Sequence, residues 1–242
     1  MDRSYLSNQD VVAASRAFVC VRLLTYESAD EAKVLQRLFR GRHGLENSVF
    51  AILDPSGKKR LVRAGRGPSW AFDDAGDMAV AMRRIARRYP GRDRRTGVPL
   101  LADVRRGLNA ARADAQQLVV ICGEGKRRDE LEAAVAALAW SAPFIGKFLY
   151  ARADAGTNWG VIDGSKRRPE TGLVVVEPGE FGVDGEVVAV IEGSPTARAL
   201  LAANAKHDAG AVDTRLLRRK GVRSGLEWEP AIPVTDRRSP RR

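Results

Sequence analysis

Short apolar runs alternate with polar turns through the first half of the chain. Residues 17–26 (AFVCVRLLTY) and 48–54 (SVFAILD) are mostly apolar and include β-branched residues, which predicts two buried strands. Residues 55–58 (PSGK) have the composition of a tight turn, and the alternating residues 59–64 (KRLVRA) predict a strand that pairs back on the second run. The first half is therefore expected to hold a hairpin within a sheet.

Amphipathic segments separate these runs and predict helices. Apolar side chains recur at helical spacing over residues 28–39, directly after Ser28, a preferred N-cap residue. A second helix is predicted over 73–89, which opens with acids and closes with arginines, as the helix dipole favours. A third helix is predicted from Pro99 to about Gln116, and we interpret it as a linker between two halves.

The second half shows a similar series of elements. Strands are predicted over 118–122 (LVVIC), 146–154, 172–178 and 186–193, and helices over 128–140 and 194–206. Alternating strands and helices are typical of layered α/β domains. The like order of the two halves suggests a duplicated fold, although no residue-level repeat accompanies it.

Four segments follow from this pattern. A first α/β domain is expected over 1–91, a helical linker over 92–116, a second domain over 117–207, and a basic, mobile tail over 208–242. The first domain would lack a leading strand and helix relative to the second. Each domain is expected to be a central mixed sheet flanked by helices.

Composition excludes some classes of protein. With 242 residues and 44% apolar residues, the chain can form folded cores. No apolar run approaches the roughly 18 residues of a membrane-spanning helix. The N-terminus has no apolar stretch after a basic one, which predicts a cytoplasmic protein if Met1 is the true start. An upstream signal peptide would instead make it extracytoplasmic.

The net charge of +11 is concentrated in a few segments. Residues 83–106 hold nine arginines against Asp93 and Asp103. Four of them recur at i, i+1, i+4 and i+5, which places them on one face of the predicted helix: Arg83, Arg84, Arg87 and Arg88. This face could contact phosphate groups, but Tyr89 is the only nearby ring for base stacking. The alternative is a solvated charged surface.

Cysteine and histidine are too scarce for a disulfide framework or an obvious metal site. The cysteines are Cys20 and Cys122, and the chain has two histidines. Cys20 is expected in the core of the first strand. Cys122 precedes a Gly-Glu-Gly-Lys loop, so it is either a reactive thiol beside Lys126, Arg127 and Arg128 or a small buried residue. That loop is too short for a phosphate-binding loop, and no cofactor is expected.

The segment 4–65 resembles a bacterial thioredoxin-like family. The resemblance lies in residues 4–28 (SYLSNQDVVAASRAFVCVRLLTYES) and in 48–65, which includes the D-P-x-G-K turn. It implies a W-C-x-x-C dithiol upstream of Met1. The cis-proline of the family is missing, because Ser48 stands at the matching position. Two explanations remain open: the dithiol lies upstream of this chain, or the domain has lost it. The pattern of the second half suits the same fold, so we expect two thioredoxin-like domains in tandem. The corresponding loop of the second half (GEGKRRDE) has no cysteine pair.

These observations define the functional hypotheses. The resemblance and the missing dithiol favour a thioredoxin-like protein that is not catalytic as written and acts by binding a protein partner. The alternatives are a basic protein that binds nucleic acid or an anionic surface, and a dithiol oxidoreductase whose C-x-x-C lies upstream of Met1. A further alternative is a single-cysteine peroxidase or glutathione-linked enzyme centred on Cys122.

Overall fold

The chain forms two compact units. The computed structural model describes residues 2–41, 44–46, 48–90, 97–101, 103–205, 207 and 213–235. Unit 1 comprises residues 1–93 together with 228–242, and unit 2 comprises residues 94–227. The division lies close to the predicted boundary at residue 91, but the chain returns to unit 1 at its end, which the sequence pattern does not predict.

Unit 1 is built on helices. Its helices are α1 (Gln9–Ser15), α2 (Ala29–Leu38) and α3 (Ala75–Arg88), with short turns of π-helix at Asp2–Leu6 and 3-10 helix at Pro68–Trp70. A polar side chain caps each α-helix by accepting a backbone N–H of the first turn: Asn8, Ser28 and Asp74. The helices predicted over 28–39 and 73–89, and the cap at Ser28, are confirmed.

The main core of unit 1 lies between α1 and α3. The buried face of α3, with Met78 and Met82, packs with Val11 of α1 and with Ile52 and Phe72. A smaller cluster forms under α2 around Leu35 and Leu45.

The described residues of the first half form no extended strand, although the predicted hairpin keeps its antiparallel pairing. Residues 17–26 form no strand, and the side chains of Val19 and Val21 are 65% and 70% exposed. The predicted hairpin is reduced to two isolated bridges, Phe50–Gly65 and Leu53–Arg60. An apolar run favours a strand but does not by itself produce one. A strand also needs a neighbouring strand, because the backbone of the neighbour completes its hydrogen bonds.

Unit 2 contains a mixed six-stranded sheet flanked by helices, which confirms the α/β class. Its strands are β1 (Leu100–Leu101), β2 (Gln117–Cys122), β3 (Phe148–Arg152), β4 (Ile162–Asp163), β5 (Gly172–Pro178) and β6 (Gly185–Glu192). Its helices are α4 (Val104–Ala113), α5 (Gly125–Ala139), α6 (Ala197–Asn204) and α7 (Thr214–Arg223), with 3-10 turns at Trp159–Val161 and Ser165–Arg167. The order across the sheet is β1-β3-β2-β5-β6-β4.

Strand pairing is parallel in one half of this sheet and mainly antiparallel in the other. β3 is parallel to both β1 and β2, whereas β5 is antiparallel to β2 and to β6. The short edge strand β4 is parallel to β6. Two βα crossovers therefore precede an antiparallel pair of strands along the chain.

Helices cover both faces of the sheet, and β2 is buried along its whole length. On one face Leu118 and Val120 pack with Leu108 of α4. On the other face Val119 packs with Val135 of α5. Burial on both faces explains why β2 is a continuous apolar run rather than an alternating one.

Two segments at the edges of the predicted second domain contain helices, and the first of them lies within the helix predicted from Pro99 to about Gln116. The residues predicted as the linker 92–116 supply α4, which Asp103 caps and which packs into the core of unit 2. The predicted mobile tail 208–242 contains α7, whose Lys220 pairs with Glu180 at 2.7 Å. Further on, the Ile232 N–H donates to the Tyr26 carbonyl of unit 1 at 3.0 Å.

The mixed sheet is found in unit 2 alone among the described residues. The described part of unit 1 holds three isolated bridges and no extended strand. Two thioredoxin-like domains in tandem therefore stay a prediction.

Candidate functional site

The strongest candidate site is the loop that joins β2 to α5. Cys122 is the last residue of β2 and pairs with Gly172 of β5. The chain turns at Gly123, which has a φ of +141°, and α5 begins at Gly125. The side chain of Glu124, the N-cap residue, makes no capping hydrogen bond. A buried strand thus delivers a thiol to the start of a long helix.

Burial keeps this thiol protonated. Cys122 is 4% exposed and packs with Val120 and Val174 on the α4 face of the sheet. This burial raises the pKa of the Cys122 thiol from 9.0 to about 11, although the charge of Arg168 opposes the change. The nucleophilic form of a cysteine is the thiolate, so at neutral pH Cys122 is a poor nucleophile.

Two of the cations near Cys122 in sequence form ion pairs with acidic side chains of α5. Lys126 lies 3.8 Å from Glu130, and Arg128 lies 3.9 Å from Glu132, so both contact acids one turn along α5. The cation that favours the Cys122 thiolate is Arg168, from a distant part of the sequence. Of the two alternatives for Cys122, the structure agrees with the small buried residue, and Lys126 and Arg128 belong to the charged face of α5.

Cys20 is not the buried core residue that the sequence predicts. It is an exposed free cysteine in the part of 17–26 that forms no strand. Its thiol lies 3.9 Å from the carbonyl oxygen of Ser15, which is a weak contact. Exposure makes Cys20 the more accessible of the two thiols.

The basic face of α3 lies where the sequence places it. The four arginines are exposed on the side of the helix away from its buried methionines: Arg83, Arg84, Arg87 and Arg88. Within the described part of the chain, no acidic side chain forms an ion pair with them. The Arg88 guanidinium lies 5.9 Å from the ring centre of Tyr89.

Unit 2 contains a polar network whose residues the sequence pattern does not identify. Nδ1 of His207 lies 2.9 Å from Oε2 of Glu177, and its Nε2 lies 3.0 Å from the Ala115 carbonyl oxygen. The amide of Gln117 donates to the same Glu177 carboxylate at 3.0 Å and accepts from Asn204 at 3.1 Å. These residues come from separate segments, so spacing along the chain gives no signal for them.

This network borders an open pocket of about 420 Å³. The pocket is lined by Ala115, Gly146, Lys147, Leu201, Asn204, Ala205 and His207. The Lys147 ammonium donates to the Asn204 side-chain oxygen at 3.3 Å, so these polar groups already contact one another. The network joins the end of α6 to the start of β2 and has the character of a structural contact.

The described residues offer neither a metal-binding cluster nor a membrane-spanning helix. No three His, Cys, Asp or Glu side chains among them are grouped so that they could hold a metal ion. None of the described helices is both long enough and apolar enough to cross a bilayer.

Comparison with known proteins gives no relative. No protein family, no curated protein and no solved structure matches the chain.

Proposed function

We propose that unit 2 is a thioredoxin-like domain without a dithiol, which works by binding a protein partner rather than by exchanging disulfides. The strand order supports this proposal. Three parallel strands in the order β1-β3-β2 continue into the antiparallel strands β5 and β6, with helices on both faces.

The composition of the β2–α5 loop and of the first turn of α5 is the observation that supports a domain without disulfide-exchange activity. Disulfide exchange needs two thiols about one helical turn apart, with the first activated at a helix N-terminus. The first turn of α5 reads Gly-Lys-Arg-Arg and has no cysteine. Cys122 lies three residues before α5 and is buried, so it offers neither a second thiol nor an accessible thiolate.

The test separates the two cysteines. In a Cys20→Ser variant, Cys122 is the only thiol, and its rate of iodoacetamide alkylation should rise with pH toward about 11. In a Cys122→Ser variant, the exposed Cys20 should react readily at neutral pH. Neither variant should accelerate insulin reduction by dithiothreitol above the uncatalysed rate.

One combination of results would overturn the proposal. Insulin reduction that persists in Cys20→Ser and disappears in Cys122→Ser would assign redox chemistry to Cys122. Rapid alkylation of Cys122 at pH 7 would contradict the buried, protonated thiol and revive the single-cysteine enzyme.

A second candidate function is nucleic-acid binding through α3, and the exposure of its four arginines favours it. Arginines that neutralise phosphates release counterions, so binding to single-stranded RNA should weaken with salt. The slope of this salt dependence should fall by about 0.7 for each phosphate that is no longer neutralised. The paired variant Arg84→Gln/Arg87→Gln should therefore bind less tightly and with a shallower slope. A slope unchanged by these substitutions would exclude α3 as the binding surface.

A further inference from the structure

Helix α7 is held to unit 2 by one side. Asp213 caps it by accepting the backbone N–H groups of Arg215 and Leu216. The Lys220 ammonium pairs with Glu180 at 2.7 Å, and the adjacent Gly221 is buried close to the ring of Phe181. The position of α7 on the β5–β6 connection is therefore fixed by its inner side.

The opposite side of α7 carries a mixed basic and aliphatic surface. At 100° per residue, six side chains lie 100° or more around the helix from Leu217, which is half-buried beside Gly221. We name them the α7 outer face: Arg215, Leu216, Arg218, Arg219, Val222 and Arg223. All six are exposed, and Leu216 and Val222 are 51% and 69% exposed.

The positive charge of this face is not balanced by acidic side chains of unit 2. The α7 outer face has four arginines and no acid, along a helix about 15 Å long. In the described part of unit 2, no acidic side chain forms an ion pair with any of the four. A ligand of this surface must therefore be anionic.

The aliphatic side chains narrow the choice of ligand. Leu216 and Val222 lie on either side of Arg219 around the helix, so a ligand that covers the arginines also covers them. A row of phosphate groups offers no apolar layer into which two aliphatic side chains could insert. A bilayer surface offers anionic head groups for the arginines and an apolar layer just beneath for the aliphatic groups.

We propose that the α7 outer face docks on the surface of an anionic lipid bilayer. The arginines contact lipid phosphates, while Leu216 and Val222 enter the boundary between head groups and acyl chains. The inference goes beyond the proposed function and does not depend on it, because it concerns a surface that is separate from the β2–α5 loop.

The experiment is flotation of the full chain with large unilamellar vesicles. Vesicles of phosphatidylcholine with 30% phosphatidylglycerol should bind the protein, whereas vesicles of phosphatidylcholine alone should not. The Leu216→Gln/Val222→Gln variant should bind about tenfold more weakly, because it loses the apolar contribution. The Arg215→Gln/Arg219→Gln variant should lose about fivefold per arginine removed.

A matched control tests the location. The Arg84→Gln/Arg87→Gln variant removes the same charge from α3 and should keep vesicle binding within about twofold, if α7 is the contact. Circular dichroism and urea unfolding of each variant separate lost binding from lost folding, and all substituted side chains are exposed.

Three outcomes would overturn the proposal. The first is the absence of binding to anionic vesicles by the folded wild-type chain. The second is an equal loss in the α3 and α7 variants, which would indicate net charge rather than a docking face. The third is that the protein binds single-stranded RNA but not vesicles, and that Leu216→Gln/Val222→Gln leaves the RNA binding unchanged. This result would assign the face to nucleic acid.

Discussion

Cys122 at the end of β2 pairs across the sheet with Gly172 at the start of β5, and Gly172 has a φ of +154°. A β-carbon at Gly172 would collide with the carbonyl oxygen of Ile191 and lie 2.9 Å from Cγ of Pro169. The strand beside the candidate thiol can therefore begin only with glycine. Backbone conformation and space both impose this requirement.

The Gly172→Ala substitution should destabilise unit 2 strongly. Backbone strain and the clash with Ile191 together predict a loss of roughly 2–4 kcal/mol in the free energy of unfolding, measured by urea denaturation. Gly156→Ala is the matched control, because Gly156 is exposed and its added β-carbon meets only Asp154 at 3.5 Å. A similar loss in both variants would mean that the geometry at Gly172 is not the cause.

The buried thiol should make the protein less stable in alkali. The pKa of Cys122 rises from 9.0 in the unfolded chain to about 11 in the folded protein, so the folded state holds its proton longer. Stability is then lost as pH rises from 9 toward 11, because only the unfolded thiol ionises over that range. The loss attributable to Cys122 should be on the order of 2 kcal/mol by pH 11.

The Cys122→Val variant isolates this effect. Its urea midpoint, compared with that of wild type under reducing conditions from pH 8 to 11, should fall less steeply with pH. Burial also raises the pKa of Tyr150, but that contribution is present in both proteins and cancels in the comparison. Parallel curves for the two proteins would show that the thiol ionises as readily folded as unfolded.

The fold of unit 2 was largely readable from its sequence, and that of unit 1 was not. The run at 118–122 corresponds to β2, and the predicted strands at 172–178 and 186–193 correspond to β5 and β6. β2 and β5 are buried between helices, so apolar character alone indicates them, whereas β6 is only partly buried. Residues 17–26 have the same character but remain exposed at Val19 and Val21, because pairing is decided by contacts distant in sequence.

In the candidate sites too, features set by neighbouring residues could be predicted from the sequence, and features set by residues distant in sequence could not. The basic face of α3 follows from helical spacing, and the structure places Arg83 and Arg87 on it as predicted. The environment of Cys122 depends on Arg168, 46 positions along the chain, and on packing against α4. Sequence neighbours such as Lys126 were therefore a poor guide to its acidity.

Glu132 of α5 forms an ion pair with Arg152 of β3 and so joins these two elements of unit 2. Its carboxylate accepts two hydrogen bonds from Arg152 of β3, at 2.7 and 2.8 Å. Glu132→Gln keeps the shape but removes the charge, so the free energy of unfolding should fall by about 1–2 kcal/mol. In Glu130→Gln, which removes only an exposed ion pair with Lys126, the change should stay below about 0.5 kcal/mol. Equal effects in the two variants would show that the bidentate geometry adds no stability.

The last described segment of the chain stabilises unit 1, and Trp228 is its first contact. The indole N–H of Trp228 donates to the Glu27 carboxylate at 2.6 Å, and Thr235 donates to the Leu45 carbonyl at 2.9 Å. Between them, Ile232 packs on the cluster that includes Leu45. The segment thus completes a core formed some 200 positions earlier in the chain.

Trp228→Phe should weaken the attachment of this segment to unit 1 while an aromatic side chain still occupies the position of Trp228. A smaller aromatic ring remains, but a charge-assisted hydrogen bond is removed, so unit 1 should lose about 1–2 kcal/mol in its free energy of unfolding. Trypsin should then cleave after Arg223 more rapidly. Trp140→Phe is the control, since its indole N–H donates to the neutral Gly97 carbonyl at an exposed site in unit 2. If Trp228→Phe changes neither the urea midpoint nor the cleavage rate, the hydrogen bond to Glu27 does not hold the segment in place. Faster cleavage in Trp228→Phe alone would show that the end of the chain is an integral part of unit 1.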